Sequence, residues 1–448
     1  MDPMSLIPEF GGVLATLLAF VVALSVIVAI HEYGHYIVGR WSGIKADVFS
    51  LGFGPVLFSR MDKRGTRWQF ALLPFGGYVK FAGDADAASS GRDDDAMQGL
   101  SAAERRATMH GAPLWARAAT VAAGPVFNFI FSILIFTAVM MSEGVPREPL
   151  TVGSMPALPV EHELEPGDVL LDIAGEPVPD RASGATWQAL LDSVPKENLL
   201  DYRVQRDGSE MEVDGPYPFP PLIGQLAPQS AAYDIGLEPG DVILSVDGNP
   251  IVAFDDLRVA VEGSDGRALP LEVWRDGEVL DFVLAPRRVD EPQPDGGFET
   301  QWRIGIIGGL FFEPATEAQG IGQSLWGGIQ TTGEIVRGSI SGLYHMVTGA
   351  ISSCNLSGPI GIAQTSGAMA SQGTASFIWF IAVLSTAVGL LNLFPIPVLD
   401  GGHLVFYGYE AVAGRAPSDG ALRVMMTAGL AVVLGLMVFA LTNDIFCP

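Results

Sequence analysis

Ile30-His31-Glu32-Tyr33-Gly34-His35 closes an apolar run that starts near Gly11 and carries no charge until Glu32. On a helix, residues four apart lie on one face a turn apart, so His31 and His35 can reach one metal ion together. Glu32 between them is the base that metal-assisted hydrolysis needs. The position of the motif is what gives it weight. A bare carboxylate near the bilayer core costs roughly 2.5–3.5 kcal/mol even on lenient insertion scales, so such groups persist where they are paired or functional. On a soluble amphipathic helix the same string reads as an exposed polar face; inside a membrane span it points to a metal. Two imidazole nitrogens, one oxygen donor and an open fourth position favour Zn2+.

Working outward, the composition is that of a membrane protein with a large soluble part. Of the 448 residues 49% are hydrophobic, yet the net charge is −25. The two facts are reconciled by where the charges lie. Tyr36 to Arg117 holds eleven Lys/Arg against eight Asp/Glu, whereas Ser142 to Thr316 holds eleven against thirty-three. Four stretches approach the ~20 apolar residues that a span requires: about Gly11–Ile37, Ala118–Met141, Phe377–Val398 and Val424–Leu441. Arg40, Lys45, Arg60, Lys63, Arg64, Arg67, Lys80, Arg105, Arg106 and Arg117 fall between the first two, which puts that loop in the cytoplasm and the acidic block and both termini outside. The N-terminus shows no basic n-region and no small-residue cleavage site, so the first span reads as retained. Cys354 and Cys447 form neither a metal-spaced pair nor a disulfide framework and read as buried or idle thiols, with a bridge between them as the alternative.

The intervening segments have distinct signatures. Val48–Ser59 and Trp68–Lys80, punctuated by Gly52, Gly54, Gly76 and Gly77, read as a β-hairpin on the cytoplasmic side. It either packs against the spans or offers an edge to an extended peptide. Asp84–Gly99 reads as a solvated loop, and Ser101 with Glu104 as a capping box opening a short helix. Ala123-Gly124-Pro125 in the second span permits close helix contact, and Asn128 reads as a hydrogen bond between helices. The acidic block contains a repeat: Glu165-Pro166-Gly167-Asp168 returns as Glu238-Pro239-Gly240-Asp241, each followed by an apolar strand, a turn and another proline. That offset suits two small globular units. They resemble PDZ domains of the permuted bacterial type, which implies either peptide capture or a lid that screens substrates by size. Gly320 to Gly349 reads as an amphipathic helix, lying on the outer membrane surface or packed on the repeat pair.

The second half of the site lies in Asn392-Leu393-Phe394-Pro395-Ile396-Pro397-Val398-Leu399-Asp400-Gly401-Gly402-His403. Its prolines and glycines predict a broken helix at membrane depth, tolerable where it lines a cavity and aims Asp400. Asp400 is the expected third ligand, with His403 as its competitor, and Asn392 is a candidate donor to the substrate carbonyl.

His31-Glu32…His35, Gly76-Gly77-Tyr78-Val79, Ala123-Gly124-Pro125 with Asn128, the tandem repeats and Asn392…Asp400-Gly401-Gly402, taken in order, resemble the site-2 protease family, and more narrowly its bacterial regulator-of-sigma-E protease branch. The resemblance implies a polytopic α-helical membrane protein with four transmembrane helices, a membrane-associated β-hairpin and two extracytoplasmic PDZ-like domains. It implies a zinc metalloprotease of the inner membrane, cutting membrane-embedded segments of anti-sigma factors after an upstream site-1-type protease, and acting also on remnant signal peptides. The expected organisation is 1–141 for the first two spans, the zinc motif and the hairpin; 142–220 and 221–290 for the PDZ-like domains; 291–376 for a linker and surface helices; and 377–448 for the last two spans. Membrane lipid is an expected partner and nucleic acid is not. Two rivals are a transporter, which would show inverted repeats that the spans lack, and a tethered binding scaffold with structural zinc.

Overall fold

The computed structural model describes residues 12–84, 99–179, 184–293 and 297–447. Most of the Asp84–Gly99 loop, and the terminal residues on which retention of the first span was argued, lie outside them. The chain divides into two compact units, one formed by 1–139, 322–347 and 356–448 and the other by 140–321 and 348–355.

In the first unit, four helices are long and apolar enough to cross a membrane: α1 (Val13–Trp41), α2 (Leu114–Glu143), and, after α3 (Ile321–Val347) and α4 (Pro359–Ser371), α5 (Thr374–Asn392) and α7 (Asp419–Phe446), with α6 (Asp400–Ala413) between the last two. The apolar faces of α1, α2 and α5 meet at Ala23 and Ile27 of α1 and Ile381 of α5, with Phe131 of α2 packed alongside. Buried hydroxyls fasten the same helices: Ser132 donates to the Ala382 carbonyl at 2.8 Å and Ser385 to the Asn128 carbonyl at 3.2 Å. Close approach of α1 to α2 depends on Gly34, where a Cβ would stand 2.5 Å from the Ala123 carbonyl oxygen.

The hairpin is present as β1 (Ala46–Met61) and β2 (Arg67–Phe81), antiparallel, with Ser50 opposite Tyr78. Phe49, Val79 and Phe81 pack with Tyr36 of α1 and Ala116 of α2 into a shared core. The Asp62 carboxylate caps its turn, accepting from the Thr66 and Arg64 backbone amides at 2.9 and 2.8 Å, and pairs with Arg40 of α1 at 3.2 Å. The capping box at Ser101 and Glu104 also forms.

Two sequence expectations for this unit are corrected. The third span, drawn to Val398, ends at Asn392, because Pro395 and Pro397 bring no N–H to a helix. Gly401 and Gly402 do not break the chain but lie buried inside the first turn of α6. A Cβ there would stand 2.3 Å from the Leu393 and Phe394 carbonyl oxygens, or 2.3 Å from that of Ile396, so both glycines let the irregular segment fold back against the start of α6. The helix read at 320–349 is present as α3, whose Ser324, Gly328 and Thr332 are buried, with a Cβ on Gly328 reaching the Ile133 carbonyl oxygen of α2, while Leu325, Trp326 and Ile329 are exposed.

The second unit holds two four-stranded sheets of like strand order. One four-stranded antiparallel sheet is built from Val169–Ile173, Glu176–Pro177, Leu199–Arg206 and Ser209–Pro216, with helix Gly184–Ser193. The other uses Val242–Val246, Asn249–Pro250, Leu269–Arg275 and Glu278–Leu284 in the same spatial order, with helix Phe254–Glu262. Each has its own core, around Ile173, Tyr202 and Val204 in one and Ile243, Leu271 and Val273 in the other. The repeated Glu-Pro-Gly-Asp stretch has a physical reason. Gly167 and Gly240 take φ of +102° and +101°, and the following aspartate folds back to accept from the Glu165 or Glu238 amide. It then binds an arginine of the neighbouring strand through two nitrogens: Asp168 with Arg206 at 2.7 and 2.8 Å, Asp241 with Arg275 at 2.6 Å each. Arg287–Pro292 pairs with Phe298–Arg303, Ile304 enters the second core, and Phe311 and Phe312 enter the first. Both cysteines are disulfide-bonded, which corrects their reading as idle thiols.

Candidate metal centre

His31 and His35 project from one face of α1, and Asp400 is the first residue of α6. The three donor atoms converge. His31 Nε2 lies 3.1 Å from His35 Nε2, Asp400 Oδ2 lies 3.1 Å from His31 Nε2 and 3.5 Å from His35 Nε2, and all three side chains are largely buried. Donors bound at about 2.0–2.1 Å around a tetrahedral zinc stand about 3.3 Å from one another, so the spacing fits that ion. Asp400 Oδ2 is buried yet makes no well-formed hydrogen bond, as befits an oxygen shaped for a cation. Among the described residues, this is the group of three that could hold a metal.

The surroundings come from α2, the hairpin and the end of α5. His35 Nδ1 is 2.9 Å from the Thr120 carbonyl oxygen, which can only accept; Nδ1 therefore carries the proton and Nε2 offers its lone pair to the cluster. Gly124 admits the two rings: a Cβ there would stand 2.4 Å from His35 Nε2 and 2.8 Å from His31 Cε1. β2 passes Glu32 at Gly77, where a Cβ would lie 3.3 Å from Glu32 Cγ, and the Val79 amide hydrogen-bonds the Glu32 carboxylate. His31, Glu32, His35, Asn392 and Asp400 line one cavity of about 350 Å³. Asn392 donates one amide hydrogen to the Val388 carbonyl at 3.0 Å. His403, the competitor for the third position, lines the same cavity but stands outside the converging set, a turn further along α6.

Thr120 and Gly124 were not singled out from sequence as parts of the site. Gly124 was noted for helix packing; that its small volume serves the imidazoles is a fact of tertiary contact that no local pattern carries.

The profile of peptidase family M50 matches residues 19–436, nearly the whole chain and both halves of the centre. The chain belongs to peptidase family M50. Family M50 is the site-2 protease family, and its members are zinc-dependent membrane proteases. The M50 chain is 36% identical over 439 residues to a protein of Agrobacterium fabrum, covering 97% of each, and 38% identical over 435 residues to one of Rhizobium meliloti, covering 96% of each. A Brucella suis protein is 34% identical over 441 residues, with 96% of this chain and 95% of the other covered. All three carry the name "Putative zinc metalloprotease". This M50 protein is accordingly a zinc metalloprotease and a membrane protein, with four apolar helices of spanning length.

Proposed function

We propose that the protein hydrolyses peptide bonds inside membrane-spanning segments of other proteins, with zinc held by His31, His35 and Asp400 and with Glu32 as general base. The observation that carries this reading is the converging triad on α1, a helix of spanning length and apolarity, with a carboxylate in the same cavity. His31, His35 and Asp400 would hold the zinc, which when bound would supply Lewis-acid activation of a water and of the scissile carbonyl. Glu32 accepts the proton of the attacking water and passes it to the nitrogen of the leaving amine. Gly77 and the Val79 amide hold its carboxylate in place. Asn392 has a second amide hydrogen beyond the one given to Val388, and this donates to the carbonyl oxygen as charge develops.

A helical substrate hides its carbonyls in its own hydrogen bonds, so it must unwind before attack. The hairpin supports that step, since β2 runs beside Glu32 and a two-stranded sheet leaves edges to pair an extended peptide. The duplicated units are read as PDZ-like from their Glu-Pro-Gly-Asp turns and matching strand order, and serve as a gate on the outer side. Placement in the bacterial inner membrane, with the basic hairpin segment cytoplasmic and the duplicated units and termini outside, is supported by charge and by both cysteines being oxidised, a state that persists in the periplasm. Anti-sigma factors shortened by a site-1-type protease, and remnant signal peptides, are substrates of the expected form: a single apolar span with little outside it.

The test is product mapping. Purified protein is incubated with a single-span substrate in detergent or liposomes, and the fragments are weighed by mass spectrometry. Cleavage inside the apolar span is expected; cuts confined to the soluble flanks would overturn the reading.

A further inference from the structure

We propose that Asn128 is a positioning residue that presents His31 to the metal by accepting a hydrogen bond from its Nδ1 through the side-chain amide oxygen. The proposal rests on the reading of His31 as a ligand. Asn128 sits inside α2, fully buried, and its amide nitrogen lies 3.3 Å from His31 Nδ1. Its Oδ1 is buried without a hydrogen-bond partner.

The two histidines pose one chemical problem. Each must keep the lone pair of Nε2 for the metal, so each must carry its proton on Nδ1 and needs an acceptor there. For His35 the acceptor is the Thr120 carbonyl. For His31 the group within reach is the Asn128 amide, and its acceptor is Oδ1. With the nitrogen facing His31, a Nδ1–H would meet another N–H, two donors head to head. That orientation suits the other neutral tautomer, in which Nε2 carries the proton and Nδ1 takes the bond. A half-turn of the amide, which leaves its outline unchanged, puts Oδ1 on the donor and places the nitrogen where Oδ1 now stands. The same side chain thus serves both states, and zinc loading favours the oxygen-facing one.

The backbone around Asn128 is held for this task. Its carbonyl accepts from Ser132 at 3.0 Å and from Ser385 at 3.2 Å, and a Cβ on Gly389 of α5 would stand 3.1 Å from Asn128 Cβ. The two orienting groups, Thr120 O and Asn128, are two turns apart on α2, so this one span sets both imidazoles.

The experiment compares zinc affinity, by chelator competition, in wild type, Asn128→Leu, Asn128→Asp and His31→Ala, with thermal unfolding of the metal-free forms as the folding control. Asn128→Leu is expected to bind zinc about 10–100-fold more weakly, while Asn128→Asp, which keeps an acceptor, stays within a few-fold of wild type. Equal affinity in Asn128→Leu and wild type, or equal weakening in the Leu and Asp variants, overturns the proposal. Zinc binding undiminished in His31→Ala overturns the ligand reading instead. Should Asn128→Leu not fold, histidine 15N spectra of the zinc-loaded wild type decide: His31 protonated at Nδ1 is expected, and protonation at Nε2 contradicts it.

Discussion

At the scale of single residues, the centre is a problem of tenths of an ångström. His31, Glu32 and His35 were legible because helical spacing is a local property, and Asp400 because proline and glycine around an acid in an apolar stretch need a reason. Gly124 and Asn128 were visible only as packing residues, since their use depends on which helix α2 meets. Gly124→Ala should therefore act on the metal, because the new methyl would stand 2.4 Å from His35 Nε2 and must displace a ring. Zinc content after dialysis is expected to fall, with affinity down by about tenfold or more. His403→Ala, which alters the cavity wall but no ligand, is expected to keep its zinc; loss of the ion there with retention in Gly124→Ala would reverse the assignment of the third donor.

At the scale of elements, the hairpin and α6 show how far pattern reading carries. Alternation and glycine punctuation sufficed to find β1 and β2, whereas the glycine pair at 401–402 was misread as a break because a helix tolerates glycine where another backbone presses on it. The hairpin's attachment to α1 yields a pH prediction. Partial burial would raise the pKa of Asp62, but the Thr66 and Arg64 amides, the Tyr36 hydroxyl and the Trp68 ring nitrogen outweigh it and hold the carboxyl down at about 2. A folded pKa below the unfolded value of about 3.9 means that the stabilisation is complete above that pH and is lost as pH falls toward 2. Protection of the Ala46–Phe81 amides against hydrogen exchange, taken relative to the intrinsic rate at each pH, is expected to be steady from neutrality to about pH 4 and to fall below it. In Asp62→Asn the exchange should be faster at neutral pH and lose that acid dependence. An unchanged profile in the variant would remove the anchor from the account.

At the scale of the whole molecule, the spans and the duplication were legible from hydropathy and from a repeated turn. The limits of the second unit were not, because strand partners such as Arg287–Pro292 with Phe298–Arg303, and core residues such as Phe311, lie in sequence that carries no repeat signature. Asp168 and Asp241 give the second unit a test separate from catalysis. Asp168→Asn takes from Arg206 its buried carboxylate, leaving only the exposed Glu165 at 3.3 Å, and should destabilise that unit by about 1.5–3 kcal/mol. Thermal unfolding of the full chain is expected to show an earlier transition while zinc content stays as in wild type. Loss of zinc together with that transition would mean that the centre depends on the second unit's stability.

The most direct measurement is made on Glu32→Gln, with zinc and cleavage determined on the same preparation. The account predicts zinc bound at the wild-type ratio and no cut in a membrane-spanning substrate. Cleavage at the wild-type rate would contradict the assignment of Glu32 as the base on which the mechanism depends.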